Sequence, residues 1–351
     1  MTLHLRPVQF VDTPITHADG AVARLAGGMQ WFAAYEVIED GQRRTIPVAD
    51  VAALGDRAAA LHAAITAPRP ALTLGERTLR LDQPLVAGIL NVTPDSFSDG
   101  GRHADDPAAA AAAGVDMAAA GAGLIDLGGE STRPGAAQVW EGDEIARIVP
   151  VVERLARSGT LVSIDTRKAA VMAAALAAGA HIVNDVSALL WDDRALEVVA
   201  NARCPVVLMH SPDPRAGGHA RTGYRDVLTE VFDWLDTRIA AVVAAGVDRG
   251  RIIVDPGIGF GKSLADNLAL VNGIAIFHGL GHPIMLGASR KRMIGALDNE
   301  APVAARLGGS LALALKGAEA GVQMLRVHDV AATVQALRIW RGLRDRALVG
   351  G

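Results

Sequence analysis

Residues 86–101 read VAGILNVTPDSFSDGG. The run is apolar on both faces until Asn91, and the residues after it are mostly turn formers, hydroxyls and two carboxylates around a single aromatic, Phe97. A strand with no polar face suits a parallel sheet that helices cover on both sides, and the polar exit then lies at the strand's C-terminal end. The pairing recurs along the chain. Apolar runs at 123–128, 160–165, 181–185, 204–210, 251–255, 282–287 and 323–327 alternate with longer stretches rich in Ala, Leu and Val. Counting the first, eight strand-then-helix units predict an α/β fold, a (β/α)8 TIM barrel over residues 71–351.

The ends of these runs carry chemistry. They bear Asn91; Glu130 with Thr132 and Arg133; Asp165; Asn184 and Asp185; Met209 and His210; Asp255; Ser289, Arg290 and Lys291; Arg326 and His328. In a parallel barrel all such ends open on one face, where the active sites of this fold sit. Any one of them alone reads equally well as a cap or a solvated loop residue. Together, at equivalent positions, they predict a polar mouth.

Residues 1–70 do not keep the period. They hold Phe10, Trp31, Phe32 and Tyr35, a large share of a chain that is 4% aromatic, beside a hairpin-like EVIEDGQRRTIPV and a helical VADVAALGDRAAALHAAI. This predicts a small folded α/β appendage, packed outside the barrel or on a partner subunit. The stretch LTLGERTLRLDQP (72–84) alternates as a hairpin turning at Gly-Glu, a suitable plug for the barrel's closed end.

Composition narrows the function classes. A net charge of -4 with no long basic run argues against a nucleic-acid surface, while leaving room for a local anion site. The single cysteine, Cys204, allows no internal disulfide and no cysteine-cluster zinc site, which suits a reducing cytoplasm. The N-terminal MTLHLRPVQFVDTP lacks the apolar stretch of a signal peptide, and no segment reads as a membrane span.

Asp165, Asn184 and Asp255 at a barrel mouth would be costly to bury unless a ligand satisfied them. A flat heterocycle with a guanidine-like edge, as in a pterin or guanine, offers paired donors to one carboxylate, with Lys291 reaching the ring's acceptors. Met209 and Phe260 suit the walls of such a slot, although ordinary core packing accounts for either alone. A second group has the opposite sign: Arg133, Arg326 and His328, with Asn91 and Thr132 as neutral partners, which reads as a phosphate or diphosphate pocket. A Mg2+ ion there would be shared between the Asn91 carbonyl, water and substrate phosphates. The glycine-rich DPGIGFGKS (255–263) lacks phosphate-loop spacing and reads as a loop hugging a flat ligand, with Lys262 solvated or starting a helix.

NVTPDSFSDGG (91–101), DLGGESTRPGA (126–136), SIDT (163–166), NDVS (184–187), DPGIGFGK (255–262), GASRK (287–291) and RVHDV (326–330) resemble, in order and spacing, the motif set of the dihydropteroate synthases. The resemblance runs from about residue 72 to 345 and implies a folate-pathway TIM-barrel enzyme joining a dihydropterin diphosphate to 4-aminobenzoate. It implies a pterin pocket of Asp165, Asn184, Met209, Asp255, Phe260 and Lys291, and a diphosphate site of Asn91, Thr132, Arg133, Arg326 and His328. It also implies a 4-aminobenzoate site of Phe97, Pro134, Ser289 and Lys291, with Asp165, Asp255, Lys291, Arg326 and His328 as catalytic groups and TPDSFSDGG as a lid. The family is typically a homodimer through its last helices, and the small-residue stretch 304–321 suits either that contact or packing on the barrel. One departure is LMHSPDPRAGGHA (208–220), where the family has a Met-His-Met-Gln-Gly type of run. It puts His210 and that loop in question, but not Met209.

A corrinoid methyltransferase of the same fold would share the ring pocket without needing STRPG, SRK and RVHD. The altered loop leaves a catalytically idle pterin binder as a further reading. A barrel with phosphate-sugar chemistry would want a lysine or paired base placed for enolisation or a Schiff base.

Overall fold

The structure, a computed structural model, describes residues 3–93, 106–131, 137–215 and 223–349. The proposed lid beyond Thr93, including Phe97, and Thr132, Arg133 and Pro134 lie outside the described residues, as does much of the loop after Met209.

The chain begins with an antiparallel sheet of β1 (Leu3–Val11), β2 (Ala23–Arg24), β3 (Trp31–Glu39) and β4 (Gln42–Pro47), in which β3 pairs with the other three. The β3–β4 hairpin turns at Asp40-Gly41, as the EVIEDGQRRTIPV pattern predicts. The helical stretch after it is split: a 3-10 turn, Val48–Leu54, stops at Gly55 (φ +89°) before α1 (Asp56–Thr66). Phe32 and Tyr35 are fully buried, each worth about 1.5–3 kcal/mol of transfer free energy, whereas Phe10 is largely exposed.

This appendage packs on the barrel's outside, through β1 and α1 against the 3-10 segment Ile274–Leu280 and neighbouring α6 (Val227–Ala244). His4 Nε2 lies 2.7 Å from Asp233 Oδ1, and its ring meets Phe232 edge-on. Arg69, following α1, donates to the Ala64 and Ala67 carbonyls of the helix end and to the His278 carbonyl of the barrel. Arg344 near the other end of the chain donates to the Val11 and Met29 carbonyls. Leu5, Phe32, Tyr35 and Leu61 of the appendage belong to the same apolar cluster as Phe232 and Phe277 of the barrel.

A short hairpin, β5 (Leu72–Leu74) and β6 (Arg77–Leu79), follows. Then come the barrel strands β7 (Leu85–Asn91), β8 (Leu124–Gly128), β9 (Val162–Asp165), β10 (Ile182–Asp185), β11 (Val206–Met209), β12 (Ile252–Asp255), β13 (Met285–Leu286) and β14 (Met324–Val327). They form one parallel sheet in the order β12-β11-β10-β9-β8-β7-β14-β13, and a parallel bridge from Val254 to Ile284 closes it. Leu72, Leu74, Leu79 and Leu81 pack on Ala87, Leu124, Leu161, Ile182, Val207, Ile253, Met285 and Met324. These include a residue from near the start of every strand, so the hairpin plugs the N-terminal end of the barrel as its alternation predicts.

The helices laid over the sheet are α2 (Pro107–Ala119), α3 (Glu141–Arg157), α4 (Ala169–Ala177), α5 (Ala195–Ala202), α6, α7 (Leu264–Asn272), α8 (Arg292–Leu297), α9 (Leu307–Glu319) and α10 (Val330–Val349). Three begin on side-chain caps: Asp106 accepts from Ala108 and Ala109 N–H, Asp226 from Leu228 and Thr229, and Ser263 forms a capping box with Asp266. Among the described residues, no helix is long and apolar enough to cross a membrane.

Candidate active site

Strand register sets the first row of the mouth. Asn91 pairs with Gly128, Gly128 with Asp165, and Asp165 with Asn184, so these four sit side by side at the ends of β7 to β10. Gly128 leaves a gap between the Asn91 and Asp165 side chains, since a Cβ there would lie 3.3 Å from Asn91 Oδ1 and 3.7 Å from the Asp165 Cβ. Met209 pairs with Asp255 across β11 and β12.

Below that row lies a charged network with a member the sequence reading passed over. Asp126, in the middle of β8, is fully buried. It accepts from Arg326 Nε at 2.5 Å and from Asn184 Nδ2 at 3.1 and 3.3 Å. Arg326 Nη2 donates to Asp165 Oδ2 at 2.6 Å. One guanidinium thus bridges two carboxylates, and Asp126 turns the Asn184 amide so that its carbonyl oxygen is what remains for a ligand. The other oxygen of Asp165, Oδ1, is buried with no hydrogen-bond partner among the described residues. Burial pushes the Asp165 carboxyl up to about 7, against the lowering effect of Arg326 and with the Asp126 charge adding to the rise. A buried acceptor without a donor is costly, and a ligand N–H would relieve it.

The opposite wall is built on the loop after β12. Asp255 Oδ1 accepts from Gly257 N–H at 2.7 Å; burial raises its carboxyl, opposed by that bond and by Lys291, Arg326 and Lys262. Lys291 donates to the Ile258 carbonyl at 2.8 Å and stands 4.5 Å over the Phe260 ring, a cation–π contact. Met209 and Phe260 are both buried at the mouth.

Lys262 is not solvated, contrary to the sequence expectation. It is buried, and its Nζ donates to the carbonyls of Gly257 (2.8 Å) and Phe260 (3.2 Å) and meets His210 Nδ1 at 2.9 Å. The helix begins one residue later, on the Ser263 cap. Burial pulls Lys262 down to about 7 and, with the Lys262 charge, His210 down to about 2, so His210 is neutral and accepts. Flanking glycines and a following Ser hid this lysine, because nothing local in the sequence shows that its partner sits on another strand.

Gly257 is where the two loops cross. Its φ is +70°, and a Cβ there would come 1.9 Å from the His210 carbonyl oxygen. Gly257→Ala should therefore destabilise the protein by about 3 kcal/mol or more in urea unfolding, while Gly308→Ala, with nothing within 4 Å of the added carbon, should change it by less than about 0.5 kcal/mol.

Ser289 and His328 join each other: Ser289 Oγ accepts from the His328 backbone N–H at 3.2 Å and lies 3.0 Å from its Nδ1. Arg290, in the left-handed region at φ +55°, forks onto Asp329. Glu130, read as a member of the mouth, is engaged by Lys168 at 3.2 Å and Arg167 at 3.4 Å and accepts from Val139 N–H.

Among the described residues no cluster of His, Cys, Asp or Glu could cage a metal. A lone carboxamide carbonyl at Asn91, with the space that Gly128 leaves beside it, fits an ion held chiefly by phosphates and water.

The chain matches the family model described as pterin binding enzyme over residues 87–328. It is 45% identical over 263 residues to the dihydropteroate synthase of Escherichia coli K12, covering 75% of this chain and 92% of that protein. The Xanthomonas albilineans dihydropteroate synthase with 4-aminobenzoic acid superimposes with a TM-score of 0.73 at 48% identity, over 79% of this chain and 99% of the other. A structure of that species' enzyme in complex with 7,8-dihydropteroate gives 0.71 at 46% identity, over 79% and 100%.

Proposed function

Since the chain belongs to the pterin-binding enzymes and, among them, to the dihydropteroate synthases, we propose how its own residues divide the work of that transfer. The enzyme condenses 6-hydroxymethyl-7,8-dihydropterin diphosphate with 4-aminobenzoate to give 7,8-dihydropteroate and diphosphate. The observation that carries the assignment of the ring pocket is the buried Oδ1 of Asp165, unpartnered among the described residues, beside the Asp126–Asn184–Arg326 network.

Asp165 and Asp255 accept the ring's N–H groups, the Asn184 carbonyl takes a further donor, and Met209 and Phe260 stack on its faces. Lys291 leaves the Ile258 carbonyl to bond a ring acceptor. The C–O bond to diphosphate breaks with its electron pair going to the leaving oxygen, and the resulting methylene cation is delocalised into the electron-rich ring. Two buried carboxylates favour that positive charge in a site where water does not screen it. The remaining N–H groups of Arg326, with Arg133, His328, Thr132 and Asn91, hold the departing anion. Asn91, together with the substrate's phosphates, would hold a magnesium ion, which would supply charge neutralisation of the leaving group. The amine lone pair of 4-aminobenzoate then forms the C–N bond, and its surplus proton goes to diphosphate or water. Ser289, Pro134, Phe97 and Lys291 place that second substrate, Phe97 coming from a lid that would close over the diphosphate.

The test is diphosphate release by the purified protein given dihydropterin diphosphate and Mg2+, with and without 4-aminobenzoate. Turnover that requires 4-aminobenzoate and yields dihydropteroate one for one is expected; tight pterin binding without turnover would overturn the catalytic reading. Chelation of Mg2+ should weaken diphosphate binding in calorimetry and leave binding of the bare pterin unchanged.

The reading extends to a cytoplasmic homodimer, supported by the lone buried Cys204 and by Ile339 and Leu343, which lie one turn apart on α10 at 65% and 68% exposure beside α9. A double Ile339→Glu, Leu343→Glu variant should elute as a monomer in light-scattering chromatography, whereas the unchanged chain should elute as a dimer.

A further inference from the structure

The loops that carry the two walls of the ring slot are tied to each other by a pair of side chains, Lys262 and His210, that engage each other and the loop backbone. From β11, the His210 backbone N–H donates to the Asp255 carbonyl at 2.9 Å, and the His210 carbonyl closes on the bare face of Gly257. From the far side, Lys262 spans both loops with one ammonium, engaging Gly257 O, Phe260 O and His210 Nδ1. Asn267 completes the tie, accepting from Gly259 N–H at 2.6 Å and donating to the Lys262 carbonyl. The His210 ring is itself held edge-on against Trp234, at 4.9 Å between centroids. The loop cannot hold this shape through regular secondary structure, since Gly257, Gly259 and Gly261 all have positive φ.

We propose that Lys262 and His210 are a positioning pair, locking the Met209 loop to the Gly257–Phe260 loop so that the slot for the pterin ring has its width before the ligand arrives. The proposal rests on the reading of Met209 and Phe260 as the walls of that slot. A fixed slot matters because a stacked ring loses affinity steeply when its walls must be ordered on binding. As an ammonium, Lys262 has three N–H groups, one each for the Gly257 and Phe260 carbonyls and one for His210 Nδ1. The loop after His210 departs from the family's pattern, whereas the contact His210 Nδ1 makes with Lys262 lies outside that loop.

The experiment measures the affinity of 6-hydroxymethylpterin by calorimetry, together with both substrate KM values, for Lys262→Met, His210→Leu, His210→Gln, the Lys262→Met/His210→Leu double variant and Phe260→Ala. Lys262→Met should weaken pterin binding about tenfold while the 4-aminobenzoate KM moves less than about twofold. His210→Gln, which keeps an acceptor for Nζ, should bind within about threefold of the parent, and the double variant should be no weaker than Lys262→Met, as for two residues acting as one unit. Pterin affinity unchanged in Lys262→Met, with Phe260→Ala weakened, overturns the positioning pair. A parallel rise in both KM values overturns it too, showing general loosening. Unchanged binding in Phe260→Ala overturns the wall assignment beneath it and the proposal with it. Should Lys262→Met fail to fold, as judged by circular dichroism, His210→Leu carries the same expectations.

Discussion

Arg326→Met should lower kcat/KM by about a thousandfold and destabilise the unliganded protein by about 3–5 kcal/mol. Both effects come from one position. The guanidinium sits between Asp126 and Asp165, carboxylates that are 200 and 161 residues away in sequence, and is the cation directly bonded to both. Its removal leaves two buried negative charges facing each other, and the protein can relieve them only by binding a proton. Asp165, already raised by burial to about 7, then rises further, because Arg326 is what opposed the shift. A carboxyl whose folded pKa lies above its unfolded value of 3.8 favours the folded state at low pH and loses that contribution as pH rises towards the folded pKa. The deficit of Arg326→Met relative to the parent should therefore be smaller at pH 5 than at pH 8 in paired urea titrations. A deficit independent of pH would show that the two carboxylates do not depend on this arginine.

Asp255→Asn should reduce kcat/KM by about a hundredfold or more, through both the pterin KM and kcat, with little loss of stability. The substitution keeps the volume and keeps an oxygen for the Gly257 N–H that fixes the loop. It replaces the other oxygen with an amide N–H, so a ring donor would meet a donor. It also removes one of the two negative charges that favour the methylene cation, which is why kcat should fall and not KM alone. Single-turnover kinetics with saturating pterin diphosphate separate the two contributions. A variant with raised KM and the parental kcat would confine Asp255 to binding.

The barrel was legible because a strand buried on both faces cannot hide: VSID, IVND, VVLM and IIVD each read as short apolar runs, three of them ending on an acid and VVLM on the Met209 wall. The polar mouth was legible where its groups sit at or next to a run's end, as with Asp165, Asn184 and Asp255. It failed at Asp126 for the same reason. A lone acid inside an apolar run looks like a flaw in the strand until Arg326, two strands away on β14 of the closed sheet, supplies its partner. Lys262 failed differently. A lysine among glycines carries every local mark of solvent, and only the crossing of two loops buries it. Pairings between residues so far apart in the chain have no signature in composition or period.

The first 70 residues and the barrel share one core. Leu5, Phe32, Tyr35 and Leu61 are packed with Phe232 and Phe277, so heating should disassemble the whole chain in one calorimetric peak. A gene trimmed to begin at the plugging hairpin would not yield a minimal version of this enzyme. It would leave an oily scar on the outer helices where the sheet had lain, and the product would clump on expression instead of folding. The solved relatives match this chain over only 79% of its length, yet here the extra portion is a graft that has taken, with no seam along which to cut.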